Sequence, residues 1–172
     1  MEDVNKNIER SISDTLRWAM LMPTASGLLR GFRVEGEGEN AGRFNIRTRG
    51  IDPLIASVRA FAASKGISEP SMLKCIFHLR MRRIISAEME RALTETYDCF
   101  MEFLLRQQEC RESGNNGGWV DPSTLTRHEH AKMCKAMNTV EYFQKYIYED
   151  SLKEKSGEQD QIQLQHATDP GV

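Results

Sequence analysis

The sequence DPLIASVRAFAASKGI, residues 52–67, contains every signal expected of one amphipathic helix. Asp52 can cap its start, and Pro53 fits the first turn, where a missing amide hydrogen costs nothing. A cation followed by glycine, Lys65-Gly66, is a common helix end. Between these signals, apolar residues recur at helical spacing and predict the inner face: Leu54, Ile55, Val58, Phe61 and Ala62.

Three more stretches predict helices from similar signals. Residues 1–22 carry apolar residues at every fourth position (Val4, Ile8, Ile12, Leu16, Met20), and Pro23 ends this pattern. Ser68, two residues before Pro70, is expected to cap a short helix, and Ser86 a long one. The inner face of the long helix is expected to comprise Met89, Leu93, Tyr97, Phe100, Met101, Leu104 and Leu105.

The last helix is predicted from a capping box, residues 126–129. In this motif the Thr126 hydroxyl and the Glu129 carboxylate each accept a hydrogen bond from the other residue's amide. The apolar face that follows is Met133, Met137, Val140, Tyr142 or Phe143, and Ile147. After about Asp150 the sequence becomes polar, so we expect the helix to fray and residues 151–172 to form a disordered tail.

The segment between the first two helices is rich in turn-forming residues. Residues 23–50 contain seven glycines or prolines, which excludes a long helix there. A short hairpin near residues 32–46 and an irregular loop are equally consistent with this composition. Because alternating apolar strands do not occur elsewhere, we predict an all-α fold, a bundle of about five helices centred on residues 51–150.

The composition indicates a folded domain without a strong charge preference. Its 172 residues are 40% hydrophobic, with 23 Lys and Arg against 25 Asp and Glu, so nucleic acid and acidic membranes are not expected partners. No apolar run approaches the roughly 20 residues that span a bilayer, and the charges within residues 1–22 do not fit a secretory signal. The four cysteines lack a CxxC spacing, and we expect reduced thiols in the cytoplasm.

The sequence offers no recognisable catalytic or metal-binding pattern. Nucleotidyl transfer usually needs a Gly-Ser turn and clustered carboxylates that hold magnesium ions, and no such cluster follows a Gly-Ser here. His130 and Cys134 are one helical turn apart and could hold zinc together with His128, but no fourth ligand is close in sequence. We therefore predict no catalytic residue, metal or cofactor.

Arginines are the more informative polar residues. Arg47 and Arg49 precede the helix at Asp52, and Arg59 lies on it. Because arginine forms paired hydrogen bonds with phosphate and carboxylate, these residues could line an anion-binding surface. Ordinary solvated arginines are the alternative, and that interpretation fits a second group better: Arg80, Arg82 and Arg83.

The run IRTRGIDPLI, residues 46–55, resembles the start of a known helical domain when it is read together with Arg59 and Lys65-Gly66-Ile67. That domain is the nucleotidyltransferase substrate-binding domain, the C-terminal helical part of bacterial signal-transduction nucleotidyltransferases, similar in arrangement to protein-PII uridylyltransferases. Further segments match it in order over roughly residues 43–150: Leu104 to Gln108, Val120-Asp121-Pro122, Leu125, and Val140 with Gln144.

The resemblance implies a substrate-binding or regulatory module of bacterial signal transduction that lacks a catalytic centre. Its partner would be a nucleotidyltransferase catalytic domain or chain. By the same resemblance, Arg47, Arg59 and Gln108 are ligand-binding residues for a nucleotide or another anionic ligand. The residues themselves also allow an alternative, a structural interaction or oligomerisation domain without a small-molecule ligand. In that alternative, the apolar face of residues 1–22 packs on a partner or on a second copy.

Overall fold

The computed structural model describes residues 2–27, 31–109 and 118–167. Helices dominate this part of the chain: α1 (Glu2–Leu21), α2 (Asp52–Ser64), α3 (Met72–Met81), α4 (Ala87–Glu109) and α5 (Arg127–Ala167). Two short antiparallel strands, β1 (Phe44–Asn45) and β2 (Trp119–Val120), form the sheet. The all-α prediction is confirmed. None of the helices in the described ranges is long and apolar enough to cross a membrane.

Helix α2 continues directly from a π-helical turn, Arg47–Ile51, and is not capped by Asp52. The cap of the combined helix is Asn45, whose Oδ1 accepts hydrogen bonds from the amides of Arg47 (3.0 Å) and Thr48 (3.2 Å). Asp52 lies inside the helix, so the prediction of its capping role is wrong. The side-chain amide of Asn45 supplies the acceptor that orphan amides of a helix start require.

Pro53 has a consequence for the loop that follows α1. Without an amide hydrogen, it cannot donate to the carbonyl of Arg49, four residues earlier. That carbonyl instead accepts a hydrogen bond from the amide of Ala25, at 3.2 Å. Because Pro53 cannot donate to it, the Arg49 carbonyl can hold the buried Ala25 against the start of α2.

The predicted end of α2 is confirmed. Gly66 adopts a φ of +68°, and its amide donates to the Ala63 carbonyl at 3.0 Å. The amide of Ile67 donates to the Ala62 carbonyl at 2.8 Å, which completes a Schellman motif. The guanidinium of Arg82 adds a further bond to the Lys65 carbonyl, at 2.9 Å.

Helix α3 begins at Met72, after Ser71, so the prediction that Ser68 caps it is wrong. The reason is Pro70, because a residue that precedes proline is pushed out of the helical region. At the other end Arg83 has a φ of +59°, and the amide of Ile84 donates to the Leu79 carbonyl at 2.9 Å. An arginine therefore occupies a position where helices usually carry glycine.

Replacing this arginine by glycine, Arg83→Gly, is expected to stabilise the domain by about 0.5–1 kcal/mol. A left-handed conformation costs an L-residue about 1–2 kcal/mol, which the greater freedom of unfolded glycine partly offsets. Urea denaturation would measure the change. The control is Arg91→Gly within α4, which should lose about 1 kcal/mol. A loss of stability in both variants would contradict this explanation.

The core is built mainly from α2, α4 and α5. The ring of Phe61 lies edge-on to Phe143 and Tyr146, with centroids 5.8 and 5.9 Å apart. On α4, Phe103 is buried and Leu105 is 52% exposed, the reverse of the prediction for Leu105. Of the other predicted inner residues of α4, Met89, Leu93, Phe100 and Leu104 are buried. Tyr97 and Met101 are half-buried and pack against the core.

The start of α5 is as predicted. The Thr126 amide donates to Glu129 Oε2 at 2.9 Å, and the Glu129 amide donates to Thr126 Oγ1 at 3.2 Å. The inner-face residues Met133, Met137, Val140, Phe143 and Ile147 are buried. Beyond Asp150, where fraying and a tail were expected, α5 continues to Ala167, and residues 168–172 lie outside the described part.

The predicted cap of α4 is also confirmed, because Ser86 Oγ accepts a hydrogen bond from the Met89 amide at 3.2 Å.

The glycine-rich segment forms a small turn and not a regular hairpin. The Glu35 amide donates to the Arg43 carbonyl, and the Gly42 amide donates to the Glu35 carbonyl, both at 2.8 Å. Phe44 then pairs with Val120, far along the chain. The sheet therefore ties the start of the α2 helix to the segment that precedes α5.

The carboxyl end of α1 is held by two other helices. Gln144 on α5 is buried, and its Nε2 donates to the carbonyls of Ala19 and Met22, both at 3.0 Å. Ser57 on α2 adds a bond from its hydroxyl to the Ala19 carbonyl at 3.4 Å. These bonds satisfy carbonyls that a helix end otherwise leaves without partners.

Candidate functional site

A groove of about 760 Å³ runs between α1 and α2 and ends at the loop before α3. We call it the Arg59 groove. Its apolar lining includes Trp18, Met22 and Ile55. Its polar lining comprises Thr15, Thr48, Asp52, Arg59, Ser68 and Glu69. The volume is within the range of about 300–1,000 Å³ that is usual for small-molecule sites.

The α2 side of the groove is one face of the combined helix. Thr48, Asp52 and Arg59 are spaced by four and seven residues, which places them in one row. Two helical turns separate Asp52 from Arg59, so their backbones are about 10 Å apart along the axis. The cap at Asn45 fixes where this row begins.

Arg59 and Asp52 are both exposed. Neither side chain makes a hydrogen bond or an ion pair with any residue in the described ranges. Glu69 differs, since its Oε1 lies 3.5 Å from Nε2 of His78. The groove therefore presents one guanidinium and one carboxylate whose hydrogen-bonding groups are available to a ligand.

Two neighbouring side chains set the character of the groove. Trp18 is 60% exposed, an unusually high value for a tryptophan of a folded domain. Cys75 lies buried nearby, and burial raises the pKa of its thiol, an effect that the charge of Arg59 partly opposes. Because this thiol stays protonated, it does not add a nucleophile to the groove.

The structure does not bring the three predicted ligand residues together. Arg47 is exposed but does not line the Arg59 groove, and the helix rises about 18 Å from Arg47 to Arg59. Gly118 lies between Arg47 and α4. A Cβ atom placed on this glycine would lie 3.8 Å from Arg47 Cβ and 3.7 Å from Leu104 Cδ1. Arg47 is therefore close to α4 at Leu104, which is one helical turn before Gln108. The side chain of Gln108 lies outside the described part.

A second groove, of about 830 Å³, lies between α4 and α5, where no pattern in the sequence predicts one. Its polar lining includes Arg127, His130 and Asn138. The spacing of His130 and Cys134 correctly predicted their proximity, since Nδ1 and Sγ are 3.6 Å apart. Within the described ranges, however, no three potential metal ligands form a group.

The charged residues along the α4–α5 seam are largely paired with each other. Arg106 binds Glu129, and Lys132 Nζ donates to Glu102 Oε2 at 2.5 Å. The bond from Arg106, helped by those from Thr126, lowers the pKa of Glu129 to about 2. Glu129 therefore stays ionised at neutral pH, where it accepts a hydrogen bond at the start of α5 and pairs with Arg106 of α4.

A family model described as "Putative nucleotidyltransferase substrate binding domain" matches residues 9–150. The match begins well before residue 43, where the resemblance was expected to start, and so includes most of α1. No curated protein and no solved structure matches the chain.

Proposed function

Because the chain belongs to the family of nucleotidyltransferase substrate-binding domains, we propose that it holds a nucleotide or another anionic ligand for a nucleotidyltransferase. The catalytic centre would lie in another domain or chain. The resemblance also implies a cytoplasmic role in bacterial signal transduction, which forms part of the proposal.

One observation supports this function most directly. An exposed indole, a guanidinium and a carboxylate line the same groove, at Trp18, Arg59 and Asp52, and the two charged side chains have no hydrogen-bond or ion-pair partner among the described residues. An indole face can stack on a nucleobase, and a guanidinium binds phosphate through paired hydrogen bonds. A carboxylate can accept hydrogen bonds from ribose hydroxyls. The groove thus offers one suitable group to each part of a nucleotide.

Arg47 and Gln108 are proposed as further ligand contacts near the end of α4. Since Arg47 is about 18 Å from Arg59 along the helix, a ligand that contacts both must be extended. Alternatively, Arg47 contacts the catalytic domain or a second ligand.

The substitution Arg59→Ala is expected to weaken nucleotide binding by about tenfold or more, because a charge-assisted contact of about 1.5–3 kcal/mol is lost. Calorimetry with ATP, GTP, CTP and UTP would measure the affinities. Fluorescence offers a second readout, because a Trp119→Phe background leaves Trp18 as the only tryptophan of the chain.

Arg91→Ala is the matched control, since Arg91 is an exposed arginine on α4 outside the groove lining. It should bind each nucleotide as the wild type does. If Arg59→Ala bound nucleotides as the wild type does, or if the wild type bound none, the Arg59 groove would not be a nucleotide-binding site.

The alternative of a purely structural domain relied on the apolar face of α1. Leu16 and Met20 of that face pack against the core of the same chain. The carboxyl-terminal part of the face, two of its five residues, is therefore already occupied, and this observation favours the ligand-binding proposal.

A further inference from the structure

The charges that line the Arg59 groove are unevenly distributed. Among the described residues of its lining, Arg59 is the single cation, whereas Asp52 and Glu69 are both carboxylates. An anionic group of a ligand is therefore attracted to one point of the groove and repelled at two others. The number of anionic groups that a ligand can place in this groove is limited accordingly.

The two carboxylates lie on different elements around Arg59. Asp52 is on α2, about 10 Å before Arg59 along the helix axis. Glu69 is in the loop before α3, and its charge and that of Arg59 act in opposite directions on the pKa of one thiol, Cys75. Glu69 Oε1 also lies 3.5 Å from Nε2 of His78, which carries a charge only when it is protonated.

The positions of these carboxylates matter for a ligand that carries several phosphates. A phosphate chain that starts at Arg59 approaches Asp52 if it runs back along α2. If it runs to the loop before α3, it approaches Glu69. Each phosphoryl group beyond the first adds about one negative charge to such a chain, so each one increases the repulsion.

The wall that α1 contributes does not offset this repulsion. Its lining residues are Thr15, Trp18 and Met22, none of which is charged. Two charged residues adjoin them in sequence. Asp14 is an exposed carboxylate, and Arg17 lines a different groove, between α1 and α5. A phosphate chain that crosses the groove therefore reaches a hydroxyl and an indole but no cation among the described lining residues.

From this distribution we infer that the Arg59 groove holds a nucleotide with a single phosphate group, and that Asp52 and Glu69 exclude nucleoside triphosphates. The inference rests on the proposed function and narrows it. One phosphate occupies the guanidinium through paired hydrogen bonds, and the neutral ribose hydroxyls donate to a carboxylate.

A nucleotide with one phosphate is also the group that nucleotidyl transfer moves. The acceptor oxygen attacks the α-phosphorus of a triphosphate and loses its proton, and pyrophosphate leaves with the electrons of the broken bond. The transferred group keeps its base, its ribose and one phosphate. The groove therefore holds this group, as a free monophosphate or as an ester of the acceptor, while the triphosphate donor binds in the catalytic domain.

Calorimetry on the wild-type chain tests this inference with AMP, its methyl ester, ADP and ATP, and with the same series for the other three bases. At low salt and without divalent cations, affinity is expected to fall from AMP to ATP by at least about threefold. The difference should narrow at high salt. Tighter binding of the methyl ester than of AMP would identify the acceptor-linked form, and the reverse would identify the free nucleotide.

Two variants test whether the carboxylates cause the preference. Asp52→Asn combined with Glu69→Gln removes both charges but keeps an acceptor oxygen at each position, and it should bind ATP at least as well as AMP. Asp98→Asn is the matched control, since Asp98 is an exposed carboxylate on α4 outside the lining of the groove. It should keep the wild-type preference for AMP.

The failure of this inference differs from the failure of the proposed function. Wild-type binding of ATP as tight as that of AMP, or tighter once Mg²⁺ is added, would overturn the inference and leave the proposed function intact. A double variant that still prefers AMP would also overturn it. If no nucleotide of any series bound, both would be wrong.

Discussion

Gly50→Val is expected to destabilise the domain by about 2–3 kcal/mol, the usual cost of overfilling a packed core. Gly50 lies in the π-helical turn before α2 and is buried between α4 and α5. A Cβ atom there would lie 3.1 Å from Cζ of Phe100 and 3.2 Å from Cε of Met137. Because both side chains are almost completely buried, they have little room to move away from the added isopropyl group.

Thermal or urea unfolding of the variant would measure this loss. Gly36→Val is the matched control, because a Cβ atom on Gly36 would have no neighbour within 4 Å. It should change stability by less than about 0.5 kcal/mol. Similar stability of both variants would show that the turn does not pack as tightly as the distances indicate.

Gln144→Leu is expected to cost about 2–3 kcal/mol, although leucine has a similar size and is more apolar. The substitution removes the donor to the carbonyls of Ala19 and Met22, and a buried carbonyl without a partner costs about 1–3 kcal/mol. The Ala19 carbonyl retains bonds from Ser57 and from the Met22 amide, so most of the loss should come from the half-buried Met22 carbonyl.

Hydrogen exchange can locate this effect. Amides in the last turns of α1 should exchange faster in Gln144→Leu, while those of α4 should change only with overall stability. Lys145→Leu, at the exposed neighbouring position, is the control and should leave α1 unchanged. Normal exchange in α1 of the Gln144 variant would mean that apolar packing, not this side chain, holds the helix.

Helix ends were predictable where the signals are local. The Schellman motif at Gly66, the cap at Ser86 and the capping box at Thr126 each involve residues only a few positions apart. Such contacts form largely without the rest of the fold, so sequence patterns identify them.

The start of α2 was not predictable in the same way. The π-helical turn depends on Gly50 fitting against Phe100 and on Ala25 reaching the Arg49 carbonyl. Both contacts join residues that are distant along the chain. Without them Asp52-Pro53 has all the local features of a helix start, which is why Asn45 was overlooked.

The candidate site could likewise be predicted only where its residues follow from local sequence patterns. Arg59 could be selected from the sequence because its position on the α2 helix follows from periodicity. Trp18 could not be associated with it, since α1 and α2 meet only through tertiary packing. For the same reason, the spacing of residues gives no indication of the groove between α4 and α5.

The length of α5 has a mechanical consequence. Among residues 127–153, where the burial of the side chains of α5 is described, Ile147 is the last core residue. The helix itself continues to Ala167, about 30 Å further along its axis at 1.5 Å per residue. A helical segment of that length acts as a lever. A tilt of only about 10° where α5 leaves the bundle would swing its tip through about 5 Å, roughly the rise of one helical turn.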